Sequence, residues 1–311
     1  MRIFMTGGSG LIGSPLSEAL AGAGHSVVVL SRAMRAGPEG IEYIGGRTTS
    51  PGDWADAVAG CDAVIHLAGE PIASWRFSAL HRRRVSESRI EGTRELVAAI
   101  AAAPPGRRPR ALLCASSVDI YPFDRSDDRY AEDADLGEHF LAGVCRGWEE
   151  EARAAAAFGL RVACLRSGIV IGRGSRSFKN LATPWKLYFR GPMGDGEQWF
   201  SWVHVDDAVA AYRFVLESSL DGAVNLVAPG IIRQSDFARA VATVLGRRVW
   251  TGIDEESLRH HLGEFADYIV AGRRAIPLAL ERAGFRFVRA DAPAALAASL
   301  DPSDGDDESA L

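Results

Sequence analysis

Short runs of consecutive apolar residues alternate with longer amphipathic stretches along the first half of the chain. The apolar runs predict strands at 3–4, 26–30, 41–44, 62–67, 111–115 and 161–165. The stretches between them predict helices, including a short one at 54–59 and long ones at 78–103 and 138–158. Strands that are apolar on both faces and separated by helices form a parallel sheet covered on both sides. The pattern therefore predicts a doubly wound α/β fold.

The second half of the chain has a less regular pattern. A strand is predicted at 223–227 and helices at 234–245, 255–267 and 292–300. We expect residues 1–171 to form the main domain and residues 172–300 a smaller C-terminal lobe, with segments that return to the main domain. Residues 301–311 are acidic and poor in apolar side chains, which predicts a disordered tail. The segment His204-Val205-Asp206-Asp207 predicts a helix that begins with an aspartate cap.

A glycine-rich turn joins the first predicted strand to the first predicted helix. Gly7 allows a tight turn, Gly10 lets backbone N–H groups approach a phosphate, and Gly13 lets the helix pack closely on the strand. The helix N-terminus adds partial positive charge at this loop. The residues between these glycines that we expect to contact the same ligand are Ser9, Leu11 and Ile12. The succession of strand, turn, helix and strand predicts a Rossmann-like site for a dinucleotide cofactor.

The second strand ends at Ser31-Arg32, where a dinucleotide enzyme selective for NAD commonly places a carboxylate on the ribose 2′-hydroxyl. A carboxylate would repel a 2′-phosphate, whereas a hydroxyl and a guanidinium bind it through charge-assisted hydrogen bonds. These two residues therefore predict NADP(H) as the cofactor. The alternative is that Arg32 is a solvated loop residue, since arginine far outnumbers lysine in this chain.

Composition and charge restrict the class of protein further. The chain has 311 residues, 47% hydrophobic content and a formal net charge of −5, which suits a globular protein and offers no surface for nucleic acid. No secretory segment and no apolar stretch long enough to span a membrane is visible, so we expect a cytoplasmic protein. The four cysteines are widely spaced and are expected to be reduced packing residues. No spacing typical of metal ligands is found.

Several motifs in a fixed order carry a family resemblance over nearly the whole chain. They are Thr6-Gly-Gly-Ser-Gly-Leu-Ile-Gly13, His66-Leu-Ala-Gly-Glu-Pro-Ile72, Ser88-Arg-Ile-Glu-Gly-Thr93, Arg166-Ser-Gly-Ile-Val-Ile-Gly172, Gln198-Trp-Phe-Ser-Trp-Val-His-Val-Asp-Asp207, Ala271-Gly-Arg-Arg-Ala-Ile-Pro277 and Ala283-Gly-Phe285. With these motifs the chain resembles the extended short-chain dehydrogenases/reductases, and within them the atypical, NADP-binding epimerase-like proteins. The resemblance implies an NADP(H)-binding fold with a substrate-binding C-terminal lobe. It leaves the substrate open, because the activity of this group is poorly defined.

The resemblance also assigns roles to residues near the predicted strand ends. It implies that the segment Ser31-Arg32 meets the 2′-phosphate. It further implies that Leu67 and Ala68 flank the adenosine end of the cofactor and that Arg89 reaches the cofactor from the long helix. Gly69 belongs to the same strand-end segment and is included in the expected cofactor site.

The chain departs from this superfamily at the usual catalytic Tyr-x-x-x-Lys pair, in which tyrosine is the acid and base and lysine lowers its pKa. Placing the superfamily's following glutamate on Glu149 puts the tyrosine position at Leu141 and the lysine position at Cys145. Neither residue can do this chemistry. The lysines of the chain are Lys179 and Lys186, so a shifted alignment cannot supply the pair. Loss of the pair is also a feature of the atypical group that the chain resembles.

Ser117, Asp119 and Tyr121 are the candidate catalytic residues, because their segment is similar to the strand-end motif of extended members. In that motif the residue at Ser117 contacts the substrate oxygen, and sugar-nucleotide dehydratases carry a glutamate base at the position of Asp119. We expect Asp119 either to act as a base or to hold a turn or pair with an arginine such as Arg125. Tyr121 either donates a hydrogen bond to a substrate carbonyl or packs in the core.

Four charged residues are candidate substrate ligands. Glu70 and Arg166 follow or end predicted strands, and Glu70 orders either the ribose or substrate or its own loop. Arg176 and Lys186 belong to segment 172–196, which is rich in glycine and aromatic residues and is expected to cover the site. This mixture favours a substrate with an apolar or planar body and an anionic group. The alternative is an amphipathic helix whose aromatic residues complete the core.

The sequence thus supports two hypotheses of different classes. The first is an NADP(H)-dependent oxidoreductase, epimerase, dehydratase or isomerase that acts on a small organic substrate, with the nicotinamide facing the candidate catalytic residues. The second is a non-catalytic NADP(H)-binding redox sensor or regulatory protein, which the loss of Tyr-x-x-x-Lys favours. The helices at 78–103 and 138–158 either form the two-helix homodimer face common in the superfamily or pack on the sheet.

Overall fold

The computed structural model of the chain describes residues 1–50, 52–72, 77–123, 126–172, 191–246, 248–249 and 252–299. Its strands are β1 (Arg2–Thr6), β2 (Ser26–Ser31), β3 (Ile41–Gly45), β4 (Ala63–His66), β5 (Ala111–Ser117), β6 (Arg129–Tyr130), β7 (Arg161–Ser167), β8 (Ile169–Ile171), β9 (Trp199–Phe200), β10 (Trp202–His204), β11 (Gly222–Leu226), β12 (Ile232–Arg233) and β13 (Arg274–Ala275). Its α-helices are α1 (Gly13–Gly22), α2 (Ala79–Ala102), α3 (Phe140–Arg153), α4 (Val205–Glu217), α5 (Gln234–Val244), α6 (Glu255–Leu262), α7 (Phe265–Val270), α8 (Leu278–Arg282) and α9 (Ala292–Ser299).

Among the described residues, seven strands form one parallel sheet in the order β11-β7-β5-β4-β1-β2-β3. From β1 the chain proceeds outwards through β2 and β3, and it then returns to the other side of β1 and continues through β4, β5, β7 and β11. The direction of winding therefore reverses between β1 and β4. Ligands of such sheets bind in the crevice outside the carboxyl ends of the strands at this reversal. The prediction of a doubly wound, Rossmann-like α/β fold is confirmed.

The central strands are buried on both faces. Ile3 and Met5 of β1 pack with Leu16 of α1 and Val215 of α4 on one face of the sheet. Phe4 points to the opposite face, where it joins residues of α2 and α3. Because successive strand residues point to opposite faces and each face is covered by helices, apolar residues are favoured at both sets of positions. This is the physical reason for the uninterrupted apolar runs in the sequence.

The two long helices pack on the sheet. Leu96 and Ile100 of α2 and Trp148 and Ala152 of α3 belong to the same buried cluster as Phe4. Their apolar stripes therefore serve the core of this chain, and a homodimer through these helices stays a prediction.

Several predicted helices are shorter or divided in the structure. The stretch predicted at 138–158 forms α3 and a separate 3-10 turn at Ala154–Phe158, which ends at Gly159 with φ +88°. The stretch predicted at 255–267 forms α6 and α7, with Gly263 at φ +58° between them. The short helix predicted at 54–59 is a 3-10 turn at Asp53–Ala57. A glycine with positive φ ends a helical path, and apolar periodicity alone does not register this interruption.

The cap of α4 also differs from the prediction. His204, and not an aspartate, is the N-cap residue, because its Nδ1 accepts the backbone N–H of Asp206 at 3.1 Å. Asp207 accepts instead from the backbone N–H groups of Val288 and Arg289, both at 2.8 Å. The aspartate therefore connects α4 to the segment before α9.

The C-terminal half forms smaller clusters of its own. Trp202 and Phe237 lie in one cluster with residues of α5 and α9, and Met193, Leu258 and Val270 lie in another with α6 and α7. Strand β11 and helices α4 and α8 return from this half to the main sheet and its core. In the described ranges, no helix has the length and apolar content needed to cross a membrane.

A buried ion pair joins α3 to β7 beneath the carboxyl end of the sheet. Arg166 Nε and Nη2 donate to the two oxygens of Glu149 at 2.8 and 2.9 Å. Ser116 Oγ of β5 donates to the same carboxylate at 2.7 Å. Arg166 Nη1 donates to Tyr121 Oη at 2.9 Å, and Tyr121 Oη donates to Asn225 Oδ1 at 2.7 Å. The network therefore connects β5, β7 and β11 to one helix, and it includes Ser116, the neighbour of Ser117, and the candidate residue Tyr121.

Replacing Arg166 by leucine is expected to lower the free energy of unfolding by about 3–5 kcal/mol. The reason is that the Glu149 carboxylate would stay buried after losing the guanidinium that binds both of its oxygens. Denaturant unfolding of the Arg166→Leu variant and the wild type measures this loss. Arg83→Leu is the control, because Arg83 forms an exposed pair with Glu87 and such pairs contribute little. Equal losses from the two substitutions would contradict the importance of the buried pair.

Candidate cofactor and active site

The glycine-rich loop lies against the end of β4. Gly7 has φ +70°, and a Cβ built on it would lie 2.7 Å from the carbonyl carbon of Leu67. A Cβ on Gly13 would lie 2.2 Å from the carbonyl oxygen of Gly7. The Gly10 N–H closes the turn by donating to the same oxygen at 2.9 Å. The backbone conformation and the close approach thus require glycine at positions 7 and 13.

Helix α1 begins directly after this loop, and its N-terminus has no side-chain cap. Its N-cap residue, Ile12, makes no side-chain hydrogen bond, and the first turn of this fully described helix contains no acidic residue. The Ser14 N–H donates to the Gly10 carbonyl oxygen at 2.9 Å and Pro15 has no N–H, so the partial positive charge of the helix dipole is what suits an anion such as a pyrophosphate here. A groove of about 610 Å³ runs along the loop. Its lining residues are Ser9, Gly10, Leu11, Ser14, Pro15, His204, Val205, Asp206, Arg289 and Ala298.

A chain of hydrogen bonds beneath the loop passes through His66. Thr6 Oγ1 lies 2.6 Å from His66 Nδ1 and accepts the Ala68 N–H at 3.2 Å. His66 Nε2 lies 3.0 Å from Thr93 Oγ1, which donates to the Arg89 carbonyl oxygen. Since Thr93 uses its proton on that carbonyl, His66 Nε2 carries a proton and donates to Thr93 Oγ1, and burial, which lowers the pKa of His66, keeps the ring neutral. These hydrogen bonds connect the loop after β4 to β1 and α2.

Arg89 holds the loop after β4 from the side of α2. It is almost fully buried, and its Nη1 donates to the carbonyl oxygen of Glu70 at 2.9 Å. Its guanidinium lies 5.0 Å from the ring of Trp148. A Cβ on Gly69 would lie 3.1 Å from the guanidinium carbon, so a larger residue there would crowd it. The predicted cofactor residues of β4 and α2 are thus brought together.

The predicted 2′-phosphate residues lie at the carboxyl end of β2. Ser31 Oγ accepts the Ala33 N–H at 3.3 Å, and Arg32 is exposed. Ser31 pairs with Gly45 of β3. Ser31 and Arg32 therefore lie at the carboxyl ends of the parallel strands, where the glycine loop also lies. This arrangement leaves the Arg32 guanidinium free to reach an anion in solution or on a ligand.

Ser117 and Asp119 form a hydrogen-bonded pair at the end of β5. Ser117 Oγ donates to Asp119 Oδ2 at 2.8 Å and accepts the Asp119 N–H at 3.1 Å. Asp119 Oδ1 pairs with Arg273 Nη1 at 3.1 Å. The expected arginine partner of Asp119 is therefore Arg273, from the segment after α7, and Arg125 lies outside the described residues.

Tyr121 and Arg166 belong to the buried network under the sheet and not to an open surface. Tyr121 is fully buried, and its hydroxyl bonds to Asn225, to the Ala131 carbonyl and to Arg166. Burial raises the pKa of Tyr121 despite the opposing effect of Arg166. This geometry favours the packing alternative for Tyr121, and contact of Arg166 with the substrate stays a prediction.

The two positions expected from the sequence for the usual catalytic pair carry buried residues. Leu141 and Cys145 lie one turn apart on α3, and both are buried. Burial, reinforced by the charge of Asp119, raises the pKa of Cys145 to about 12, so its thiol is unreactive. Tyr268 of α7 approaches from the C-terminal half and packs against the cluster that contains Leu141. Its pKa is raised by burial.

Aromatic rings complete the surroundings of Asp119. Phe123 stacks on His139 with ring centroids 3.8 Å apart, and Tyr268 meets both rings edge-on. His139 Nδ1 accepts the Ala142 N–H and His139 Nε2 lies 3.0 Å from the Tyr121 carbonyl oxygen. Burial lowers the pKa of His139. His139, Tyr268 and Arg273 are the residues that the sequence did not assign to the site. Of these three residues, only Arg273 could have been noticed in the sequence, because it lies in the motif 271–277 that supports the family resemblance.

Two candidate ligands, Arg176 and Lys186, lie outside the described residues, as does most of segment 172–196. Glu70 lies at the loop after β4, where its backbone N–H donates to Ser88 Oγ and its carbonyl accepts from Arg89. All four cysteines are buried free thiols. In the part of the chain that the structure covers, no group of three His, Cys, Asp or Glu side chains could hold a metal ion.

The parallel sheet, the switch point and the glycine loop define the class of Rossmann-like nucleotide-binding α/β proteins. The family model of the NAD dependent epimerase/dehydratase family matches residues 3–227. The chain belongs to the NAD dependent epimerase/dehydratase family. Residues 257–299 match a second model, described as a domain of unknown function (DUF1731).

Relatives of similar length occur in distant organisms. The epimerase family protein SDR39U1 of Homo sapiens is 31% identical over 301 residues, which cover 95% of this chain and 98% of the relative. The epimerase family protein YfhF of Bacillus subtilis is 32% identical, with 95% and 97% covered. The crystal structure of human SDR39U1 with NADPH matches with a TM-score of 0.82 and 30% identity, covering 96% of this chain and 98% of that chain. MoeE5 in complex with UDP-glucuronic acid and NAD, with a TM-score of 0.78, 23% identity and 98% and 99% covered, shares the fold.

The neutral state of His66 should make the stability of the protein depend on pH. Burial, with a smaller effect of Arg89, lowers the pKa of His66 to about 4 from an ordinary value of 6.5. Between these values the unfolded chain binds more protons, so the stabilisation is complete above the unfolded pKa and is lost as the pH falls. The slope approaches about 1.4 kcal/mol per pH unit.

Free energies of unfolding of the wild type and His66→Gln, compared between about pH 7 and about pH 5, measure this effect. The advantage of the wild type should shrink in acid, because glutamine does not titrate. Parallel curves for the two proteins would show that His66 is not held neutral.

Proposed function

We propose that this protein is an NADP(H)-dependent enzyme of the oxidoreductase and epimerase type that acts on a small organic substrate without a Tyr-x-x-x-Lys pair. The observation that carries the proposal is the hydrogen-bonded Ser117–Asp119 pair, oriented by Arg273. This pair lies at the carboxyl end of β5, on the same side of the sheet as the glycine loop. A hydroxyl joined to a carboxylate can accept and release a proton, which a site for nucleotide binding alone does not need.

The residues of the crevice fit NADP(H). The glycine loop and the uncapped N-terminus of α1 suit a pyrophosphate. Arg32 is exposed at the end of β2, where a 2′-phosphate would need a cation. The relative SDR39U1 of Homo sapiens was crystallised with NADPH. When bound, such a cofactor supplies a hydride donor or acceptor at its nicotinamide ring.

Ser117 and Asp119 provide a path for the substrate proton. Ser117 Oγ donates to Asp119 and accepts one backbone N–H, so one lone pair stays available for a substrate hydroxyl. When that hydroxyl is oxidised, its proton passes to Ser117 Oγ while Ser117 gives its own proton to Asp119. The reverse transfers protonate a substrate carbonyl oxygen during reduction. Arg273 holds the carboxylate in the orientation that receives the serine proton.

Removing the Arg32 guanidinium is expected to weaken NADPH binding roughly tenfold to a hundredfold, because a charge-assisted contact with the 2′-phosphate would be lost. Binding of NADH, which lacks this phosphate, should be unchanged. Titration of Arg32→Ala with both cofactors, followed by nicotinamide fluorescence, measures the difference. Arg84→Ala is the control, because Arg84 is an exposed arginine of α2. An equal loss for NADPH and NADH would contradict the assignment of Arg32.

The Asp119→Asn variant tests the proton path. Turnover of small hydroxy and oxo compounds, followed by nicotinamide absorbance, should fall by about a hundredfold or more, because asparagine cannot accept the serine proton. NADPH affinity should be retained. Ser117→Ala should cause a similar loss while leaving the Asp119–Arg273 pair in place. Asp135→Asn, at an exposed carboxylate, is the control and should be silent.

The outcomes also separate the enzyme from a redox sensor. A sensor is the second candidate, and the buried Leu141 and Cys145 at the usual catalytic positions favour it. Unchanged turnover in Asp119→Asn would contradict the assignment of Asp119 as a base. A protein without turnover that binds NADP and NADPH with different affinities would favour the sensor.

A further inference from the structure

Arg273 presents an unused pair of hydrogen-bond donors next to the Ser117–Asp119 pair. Its side chain is only 7% exposed, and its Nη1 pairs with Asp119 at 3.1 Å. Its Nε and Nη2 are buried and have no hydrogen-bond partner among the described residues. Buried guanidinium donors are normally satisfied, so a ligand that accepts from both atoms would remove an unfavourable state.

The two free atoms form the side of a guanidinium that binds carboxylates. Nε–H and Nη2–H point in the same direction and can meet two oxygens of one planar anion. Arg166 shows this geometry in the same protein, since its Nε and Nη2 hold the two oxygens of Glu149 at 2.8 and 2.9 Å. In Arg273 the corresponding atoms lack such an acceptor. Arg273 therefore keeps two parallel donors that suit two oxygens of one anion.

Aromatic rings adjoin this guanidinium. Its central carbon lies 5.0 Å from the ring centroid of Phe123, and Phe123 is 38% exposed. His139 stacks on Phe123, and Tyr268 lies edge-on to Phe123 at 5.1 Å. A flat apolar group is favoured beside such rings, because it can stack on them or meet their edges.

We propose that Arg273 binds the carboxylate of a substrate with a planar, apolar body and thereby brings its reacting carbon to Ser117 and Asp119. This inference rests on the proposed function and names its substrate class, a small aromatic or unsaturated hydroxy or oxo acid. A carboxylate is favoured over a phosphate, because Asp119 lies beside the donor pair and repels a second negative charge more strongly.

Equilibrium binding of three probes tests the proposal without any need for turnover. Benzoate carries the planar body and the carboxylate, benzamide is its neutral counterpart, and phenyl phosphate carries the larger charge. Calorimetric titration of the full chain, with and without NADPH, should give benzoate an affinity about tenfold or more above that of benzamide. Phenyl phosphate should bind more weakly than benzoate.

Two substitutions of Arg273 and one of its neighbour assign the effect. Arg273→Lys keeps the charge beside Asp119 but lacks the paired donors, so it should lose most of the preference for benzoate over benzamide. Arg273→Gln should lose it as well. Arg274→Lys is the matched control, because the Arg274 guanidinium stacks on Trp199 at 4.3 Å and donates to the Asp127 carbonyl. This control should leave the preference unchanged.

The proposal is overturned if benzoate and benzamide bind equally, if neither binds, or if phenyl phosphate binds most tightly. It is also overturned if Arg273→Lys retains the full preference or Arg274→Lys loses as much of it. Failure of the proposed function gives a different result. Unchanged turnover in Asp119→Asn, together with a benzoate preference that depends on Arg273, would remove the proton path and leave the carboxylate site standing.

Discussion

The buried pair of Glu149 and Arg166 is the interaction on which the candidate site depends. Taking two charges out of water is costly, and the cost is offset only if every oxygen and N–H finds a partner. Here Ser116, Tyr121 and a second arginine, Arg153, supply those partners. The ends of β5 and β7 are thereby held at one distance from α3. Ser117 follows Ser116 directly, so the position of the proposed proton path is set by this charge pair.

The site combines two kinds of support. One side of the site is formed at the carboxyl ends of parallel strands: the glycine loop follows β1, a second loop follows β4, and Ser117 ends β5. The register of these strands fixes the positions of the three segments relative to one another. Arg273 comes from the C-terminal half and reaches Asp119 across the crevice. Its backbone is anchored by Ser201 Oγ, which donates to the Arg273 carbonyl at 2.6 Å. The carboxyl end of the sheet thus carries the residues proposed for nucleotide binding and proton transfer, and the C-terminal half supplies the guanidinium that pairs with Asp119.

The fold could be predicted from the sequence because its signals are local. Apolar runs mark strands covered on both faces, and the spacing of Gly7, Gly10 and Gly13 marks a turn that other residues cannot make. The partner of Asp119 could not be predicted, because an ion pair between remote segments leaves no periodic trace. The burial of Tyr121 also depends on remote partners, chiefly Arg166 and Asn225. Where a pattern failed locally, as at Gly263, a single positive φ interrupted an otherwise helical sequence.

The pair between Asp119 and Arg273 has a consequence for the order in which the protein acquires its parts. Protein synthesis proceeds from the N-terminus, and the early part of a chain can fold before the rest emerges. Six of the seven sheet strands precede residue 168, and the glycine loop is complete within the first fifteen residues. Arg273 leaves the ribosome much later. A nascent chain could therefore hold a nucleotide cradle while it still lacks the guanidinium that orients Asp119, and chemistry would wait for the final segment.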